Sequence, residues 1–167
     1  MPSSTIISTQ KMNIGSPDPT YCFYLPNPPL LPEHWHFSHE DAVTKLIELN
    51  GNHWRKILTI MAKICAPDDN WKHYRDTQLL KQNEVIMIGS NQMFTGEIQR
   101  VRWHFLVGAV VSEELSKQIE DSSFVIIDDK KKLLFNNQST FITPYLDYRQ
   151  YPNQLIVETR QLIAQKV

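Results

Sequence analysis

The chain has 167 residues, 41% of them apolar and 21% charged, so it holds enough apolar side chain to offset the entropy lost on folding and is too short for two full cores. Seventeen basic residues against eighteen acidic ones leave a net charge of -1, which excludes binding to nucleic acid through a broad basic field. Cys22 and Cys65 stand far apart and outside any CxxC, which excludes a structural zinc held by cysteines; the absence of a signal-type start and of a long apolar run predicts a cytoplasmic protein with no membrane partner.

Residues 1–20, rich in Ser, Thr, Pro and Gly, read as a flexible leader, and residues 21–167 as a single α/β domain. A short strand is expected over 21–25, followed by an extended arm in which Pro26, Pro28, Pro29 and Pro32 remove amide donors and fix φ. Ser38 is placed to cap a helix carrying Ala42, Val43, Leu46 and Ile47 at helical spacing, and Asn50-Gly51 stops it. Asn52 opens the next helix, where Trp54, Ile57, Leu58, Met61, Ile64 and Cys65 form one apolar stripe ending before Pro67. Asp68 and Asp69 suit the positive end of a third helix running to about residue 82.

Residues 85–88 are four apolar residues without alternation, the pattern of a strand covered on both faces, and Gly89 ends them. A second strand is expected over 101–107, with a helix as the competing reading, ending at Gly108 and feeding a helix of 113–120 that Ser112 caps. Strands over 124–127, 133–135 and 141–143 follow, then a final helix carrying Leu155, Ile156, Thr159, Leu162 and Ile163. Strands alternating with helices predict a single three-layer α/β domain, a mainly parallel central sheet with helices on both faces. Ligands of such sheets bind beyond the carboxyl ends of the strands, which selects the segments 89–96, 108–112 and 143–152.

In the first segment, Gly89 permits a sharp turn, and Ser90, Asn91 and Gln92 offer hydroxyl and amide groups that either orient a water or ligand or simply cap a polar turn. In the last, Tyr145, Asp147, Tyr148 and Arg149 sit between a strand end and a helix start. They suit stacking on a base and neutralising a phosphate, and equally a surface ion pair beside a tethered lid. His34, His36 and His39 crowd one polar segment but match no metal-binding spacing, so no metal or cofactor is implied. His104, inside a strand, reads as a histidine at the edge of the core.

The order of these pieces resembles the uracil-DNA glycosylase superfamily, in an uncharacterised bacterial family of that kind. Val85-Ile86-Met87-Ile88-Gly89-Ser90-Asn91 is similar to the strand and Gly-x-Asn loop of its mismatch-specific branch. Residues 103–115 resemble its central strand, glycine and helix, and Phe141-Ile142-Thr143-Pro144-Tyr145 lies where its late strand leads into a DNA-facing loop. The resemblance implies that Asn91 is the catalytic residue positioning a hydrolytic water, that Phe94 stacks an extruded base, and that Tyr145, Tyr148 and Arg149 meet the strand. Gln92 stands where that superfamily usually has proline and no DNA-inserting wedge follows Phe141, so Asn91 alone inherits a catalytic role. The resulting expectation is a protein that binds a base, nucleotide or nucleic acid at the strand ends through Gly89, Ser90, Gln92, Phe94, Tyr145, Asp147, Tyr148 and Arg149. The alternative is a non-catalytic module that docks a protein partner on the Pro-rich arm and exposed tyrosines.

Overall fold

The computed structural model of the chain describes residues 11–119 and 123–166. Among them run β1 (Met12–Gly15), β2 (Tyr21–Leu25), α1 (Ala42–Asn50), α2 (Asn52–Cys65), α3 (Trp71–Thr77), β3 (Glu84–Ile88), β4 (Trp103–Val107), α4 (Ala109–Leu115), a 3-10 turn (Ser116–Gln118), β5 (Val125–Ile126), β6 (Leu134–Phe135), β7 (Thr140–Thr143) and α5 (Asn153–Gln165). No helix of these residues is long and apolar enough to cross a membrane.

The seven strands form one sheet in the order β1-β3-β2-β4-β7-β6-β5. The expectation of a mainly parallel sheet is corrected by the pairings. β3, β2, β4 and β7 are parallel, whereas β1 joins β3, β6 joins β7 and β5 joins β6 in antiparallel fashion, three pairings of each kind. For β5, β6 and β7 short connections are the cause, because consecutive strands joined by a few residues return antiparallel, whereas β1 reaches β3 as an added edge strand far away in sequence. Asn136 Oδ1 accepts the amides of Gln138, Ser139 and Thr140 at 3.1, 3.0 and 2.9 Å, folding the chain directly from β6 into β7. Asp128 Oδ1 does the same for Lys132 and Leu133 between β5 and β6.

The helices are also distributed unequally, a second correction to the layered expectation. One side of the sheet, with Phe23, Leu25, Ile86, Ile88, Phe105 and Phe141, packs against α1, α2, α3 and α5 in the main core. The other side, with Cys22, Tyr24, Val85, Met87 and Leu106, is covered among the described residues only by α4, the turn that follows it and the chain around Met93 and Phe94. α2 is buried on almost every side and forms the centre of the thick layer.

Several boundaries move for local reasons. α1 begins at Ala42, because Ser38 is engaged with the His36 ring instead of a helix amide. α3 ends at Thr77, since Leu80 adopts φ 74 and gives its amide to Glu84. α4 begins at Ala109, with Gly108 at φ 83 making the turn out of β4, and Ser112 lies inside it. Residue 120, the expected end of that helix, lies outside the described residues, as do residues 1–10 of the expected leader. The remainder of that leader is not loose: Met12–Gly15 is an edge strand hydrogen-bonded to β3. A Cβ on Gly15, where φ is +127, would lie 2.5 Å from the Glu84 backbone oxygen. Gly15→Ala is therefore expected to cost about 1–3 kcal/mol through backbone strain. Hydrogen exchange should show faster exchange at β1, with the amides of β4 unchanged.

Candidate functional site

From β2 the chain crosses the thick face to β3, then returns over the thin face to β4 on the opposite side of β2. Connections that diverge in this way leave a crevice at the carboxyl ends of the strands. It contains a cavity of about 290 Å3 lined on one side by Gly89, Ser90 and Asn91 and on the other by Val110, Val111 and Glu114 of α4.

The Gly89 side is held rigidly. Gly89 turns the chain at φ 66, and the Ser90 hydroxyl donates to the Gln92 carbonyl at 2.6 Å. Gln118 closes the loop from outside: its Nε2 donates to the Asn91 carbonyl, and its Oε1 accepts the Met93 amide at 3.3 Å. Beneath, the Phe94 amide donates to the Tyr24 hydroxyl at 2.8 Å, and that hydroxyl lies 2.8 Å from His104 Nδ1. Burial, aided by Arg100, pushes the His104 imidazole down to about 4, so at neutral pH it is uncharged and Nδ1 accepts the Tyr24 proton. Burial pushes the Tyr24 phenol far up, keeping it a donor. The Asn91 side-chain amide has no partner among the described residues and is free to meet a ligand.

Tyr24→Phe removes the only acceptor of the Phe94 amide among the described residues and the donor to His104. We expect a loss of about 1–3 kcal/mol, the cost of unpaired buried polar groups, with accelerated exchange of the Phe94 amide read by NMR.

Of the sequence-predicted residues, Gly89, Ser90 and Asn91 line this crevice. Gln92 and Phe94 turn to a neighbouring cavity of about 450 Å3 beside Lys11 and Asn13. Phe94 is partly buried against the thin-face core, so its ring is a packing element and not a free stacking platform. The segment 143–152 does not join them. Two strands, β2 and β4, separate the ends of β3 and β7, and the cavities beside the two segments share no lining residue.

That segment instead anchors α2. The Tyr145 hydroxyl lies 2.9 Å from His53 Nε2 with the rings stacked at 5.7 Å. Asp147 accepts the Arg149 amide at 2.9 Å and faces Lys56 Nζ at 3.5 Å, and that amide, then Lys56, holds its carboxyl below the usual range. Tyr148 lies under the ammonium groups of Lys56 and Lys63, at 5.7 and 5.9 Å from its ring centre. Arg149 lines a separate cavity of about 240 Å3 with Lys130, Lys132 and Glu158.

The histidine segment is likewise dispersed. His34 pairs with Glu33 at 3.5 Å, His36 Nδ1 lies 2.6 Å from the Ser38 hydroxyl, and His36 and His39 are 5.9 Å apart by ring centres. Among the described residues no three His, Cys, Asp or Glu side chains gather as a metal site would require.

Sequence reasoning missed Tyr24, Gln118 and Glu114 as parts of the site. Tyr24 and His104 meet because they are diagonal neighbours on one face of paired strands, which only the register reveals. No curated protein and no solved structure matches the chain. A family model described as "Family of unknown function (DUF6942)" matches residues 12–164, which takes in the whole sheet and the described helices but for the last residue of α5, and the chain belongs to that family.

Proposed function

We propose that the crevice above β2 binds a nucleobase, free or carried on a nucleoside or single strand. The observation that carries this reading is the pairing, across one small cleft, of the free Asn91 amide with the Glu114 carboxylate, between apolar walls from Met87, Val110 and Val111. An amide presents one donor and one acceptor edge and a carboxylate presents acceptors only, a set that reads the polar rim of a planar ring while the aliphatic walls cover its faces. The volume of about 290 Å3 suits one such ring system, and a net charge of -1 favours a ligand held by the base over a duplex held by its phosphates.

The same two side chains suit hydrolysis of an N-glycosidic bond. Asn91 orients a water, Glu114 accepts its proton, the water oxygen bonds to the sugar carbon, and the glycosidic electron pair leaves with the base, which is then protonated. The test is calorimetric titration of free bases and nucleosides, together with base release from nucleosides and uracil-containing single strands. Asn91→Ala is expected to weaken binding about tenfold, the value of a hydrogen bond or two, and Glu114→Gln to abolish release while retaining binding. No binding and no release by the wild type would defeat the reading.

A second reading, a protein-docking surface, is supported by Leu30, Leu31 and Leu49, which are 68%, 41% and 46% exposed. Asn50 holds the arm against α1 by accepting the Leu30 amide and donating to its carbonyl, both at 2.8 Å, so the patch is fixed. Of the tyrosines assigned to such a surface only Tyr148 is exposed, while Tyr151 is buried. Self-association lost on Leu30→Asp, measured by sedimentation, would favour this reading; a wild-type monomer would remove its self-association form.

A further inference from the structure

A cavity of about 680 Å3 lies at the amino ends of β2 and β3, the opposite end of the sheet from the crevice. It is a groove between the last turn of α2 and the last turns of α5, with Tyr21, Tyr74 and Asn83 along its sheet side. We infer that this groove binds an amphipathic organic carboxylate, gripped by the free edge of the Arg160 guanidinium and by the Tyr21 hydroxyl.

Arg160 is fixed in place before any ligand arrives. Its Nη1 donates to the carbonyls of Lys63, Ile64 and Ala66 at 2.8, 3.1 and 2.9 Å, closing the end of α2. These bonds use one nitrogen. Nε and Nη2, the edge whose parallel N–H groups match the two oxygens of a carboxylate, have no partner among the described residues. No acidic side chain of the described residues lies within ion-pair distance of it. A half-buried cation whose bidentate edge is oriented and unspent is a site built for an anion.

The neighbours supply a donor without supplying a competing anion. Burial, with Cys65 and Glu84 nearby, pushes the Tyr21 phenol up to about 12, so it stays protonated. The Cys65 thiol is pushed well above its ordinary value by burial and stays neutral. Glu84 is fully buried behind Tyr74, with one oxygen accepting the Tyr74 hydroxyl and the other the Leu80 amide at 2.8 Å. Its oxygens are committed there and not to Arg160.

The remaining walls decide the body of the ligand. Ile64, Pro67, Val157, Ile163 and Ala164 line the groove, and an inorganic anion would leave them wet. A neutral apolar molecule would cover Arg160 without pairing it. A carboxylate on an aliphatic or aromatic body satisfies both.

The experiment titrates the full chain with octanoate, octanamide and octyl phosphate by calorimetry, following the arginine Nε–H signals by NMR. Octanoate is expected to bind one to one and shift the Arg160 signal, with octanamide about tenfold weaker or worse, as loss of a charge-assisted pair implies. Arg160→Lys keeps the charge and loses the fork, and a similar weakening is expected. Because Arg160 also closes α2, two further variants leave that closure intact: Tyr21→Phe removes one hydroxyl, and Val157→Glu puts an anion at the mouth, where Val157 is 44% exposed. Both are expected to weaken octanoate, and Asn91→Ala to leave it unchanged, which separates this site from the crevice. Equal binding of octanamide, no octanoate binding, or insensitivity to Val157→Glu would overturn the inference; tighter binding of octyl phosphate would overturn the carboxylate class in favour of a phosphate ester.

Discussion

Phe105→Ala is expected to destabilise the fold by about 3–5 kcal/mol, the range for removing a buried aromatic ring and leaving its cavity. Phe105 is fully buried in β4 and stands in a ladder that crosses the sheet. Its ring stacks on Phe23 of β2 at 4.4 Å and on Phe141 of β7 at 5.2 Å, and Phe141 stacks on Phe135 of β6 at 4.3 Å. The register sets this up, since Phe23, Phe105 and Phe141 are direct partners across three parallel strands and Phe135 faces Phe141. The gap left at Phe105 would be flanked by rings on both sides that cannot move together without breaking the sheet. For a chain of this size each kcal/mol lowers Tm by about 2–4 °C, so thermal unfolding is expected roughly 10–15 °C lower. Val110→Ala, at a side chain 76% exposed, serves as the contrast and is expected within about 0.5 kcal/mol of wild type. Equal effects at the two positions would show that the ladder does not hold the sheet together.

The ladder also shows which parts of the architecture can be read in one dimension. Trp54, Ile57, Leu58 and Met61 announce α2 because burial on one face at helical spacing has no other economical explanation. The unbroken 85–88 run announces β3 for the same kind of reason. Strand direction leaves no such trace. Met12 and Ile14 are the only strongly apolar residues of β1, set among Ser, Pro and Gly, and they form a strand only because β3 offers an open edge. The candidate site divides in the same way. Ser90 and Asn91 follow a legible strand, so the rule that ligands bind at strand ends finds them. Glu114 reads as an acid in the first turn of a helix, and it faces the crevice because α4 starts at Ala109 and puts 110, 111 and 114 on one side. Arg160 is still less legible, since its role depends on α2 ending against α5 across 97 residues of sequence. The tyrosine-rich loop carries the densest chemistry in the sequence, yet that chemistry is spent on His53, Lys56 and Lys63 of α2.

Two buried groups on opposite faces of the sheet give the chain an unusual dependence on pH. Burial pushes the Glu84 carboxyl from 4.5 up to about 7, against the opposing pull of its bonds from Tyr74 and Leu80. Between these values the unfolded chain has released a proton that the folded chain still holds, so stability falls as pH rises and is level above about 7. Burial and then Arg100 push His104 the other way, from 6.5 down to about 4. Between those values the unfolded chain holds a proton that the folded chain does not, so stability rises with pH. Each effect is on the order of 3 kcal/mol, at about 1.4 kcal/mol for each pH unit of displacement. Asp18 and Asp147 are only partly covered, and their lowered carboxyl values act below 3.8, outside this window. Wild type is therefore expected to be nearly level in stability from pH 4.5 to 6.5, because the two slopes cancel. Glu84→Gln keeps an oxygen acceptor and should uncover the histidine slope, with stability climbing from pH 4 to 6.5. His104→Asn keeps an acceptor near the position of Nδ1 and should uncover the carboxyl slope, with stability falling from pH 4.5 to 7. Denaturant unfolding of the three proteins across this range is the measurement. Parallel profiles would mean that neither buried group keeps its uncharged form in the fold, and with it would go the neutral His104 acceptor that holds Tyr24 and Phe94 beneath the crevice.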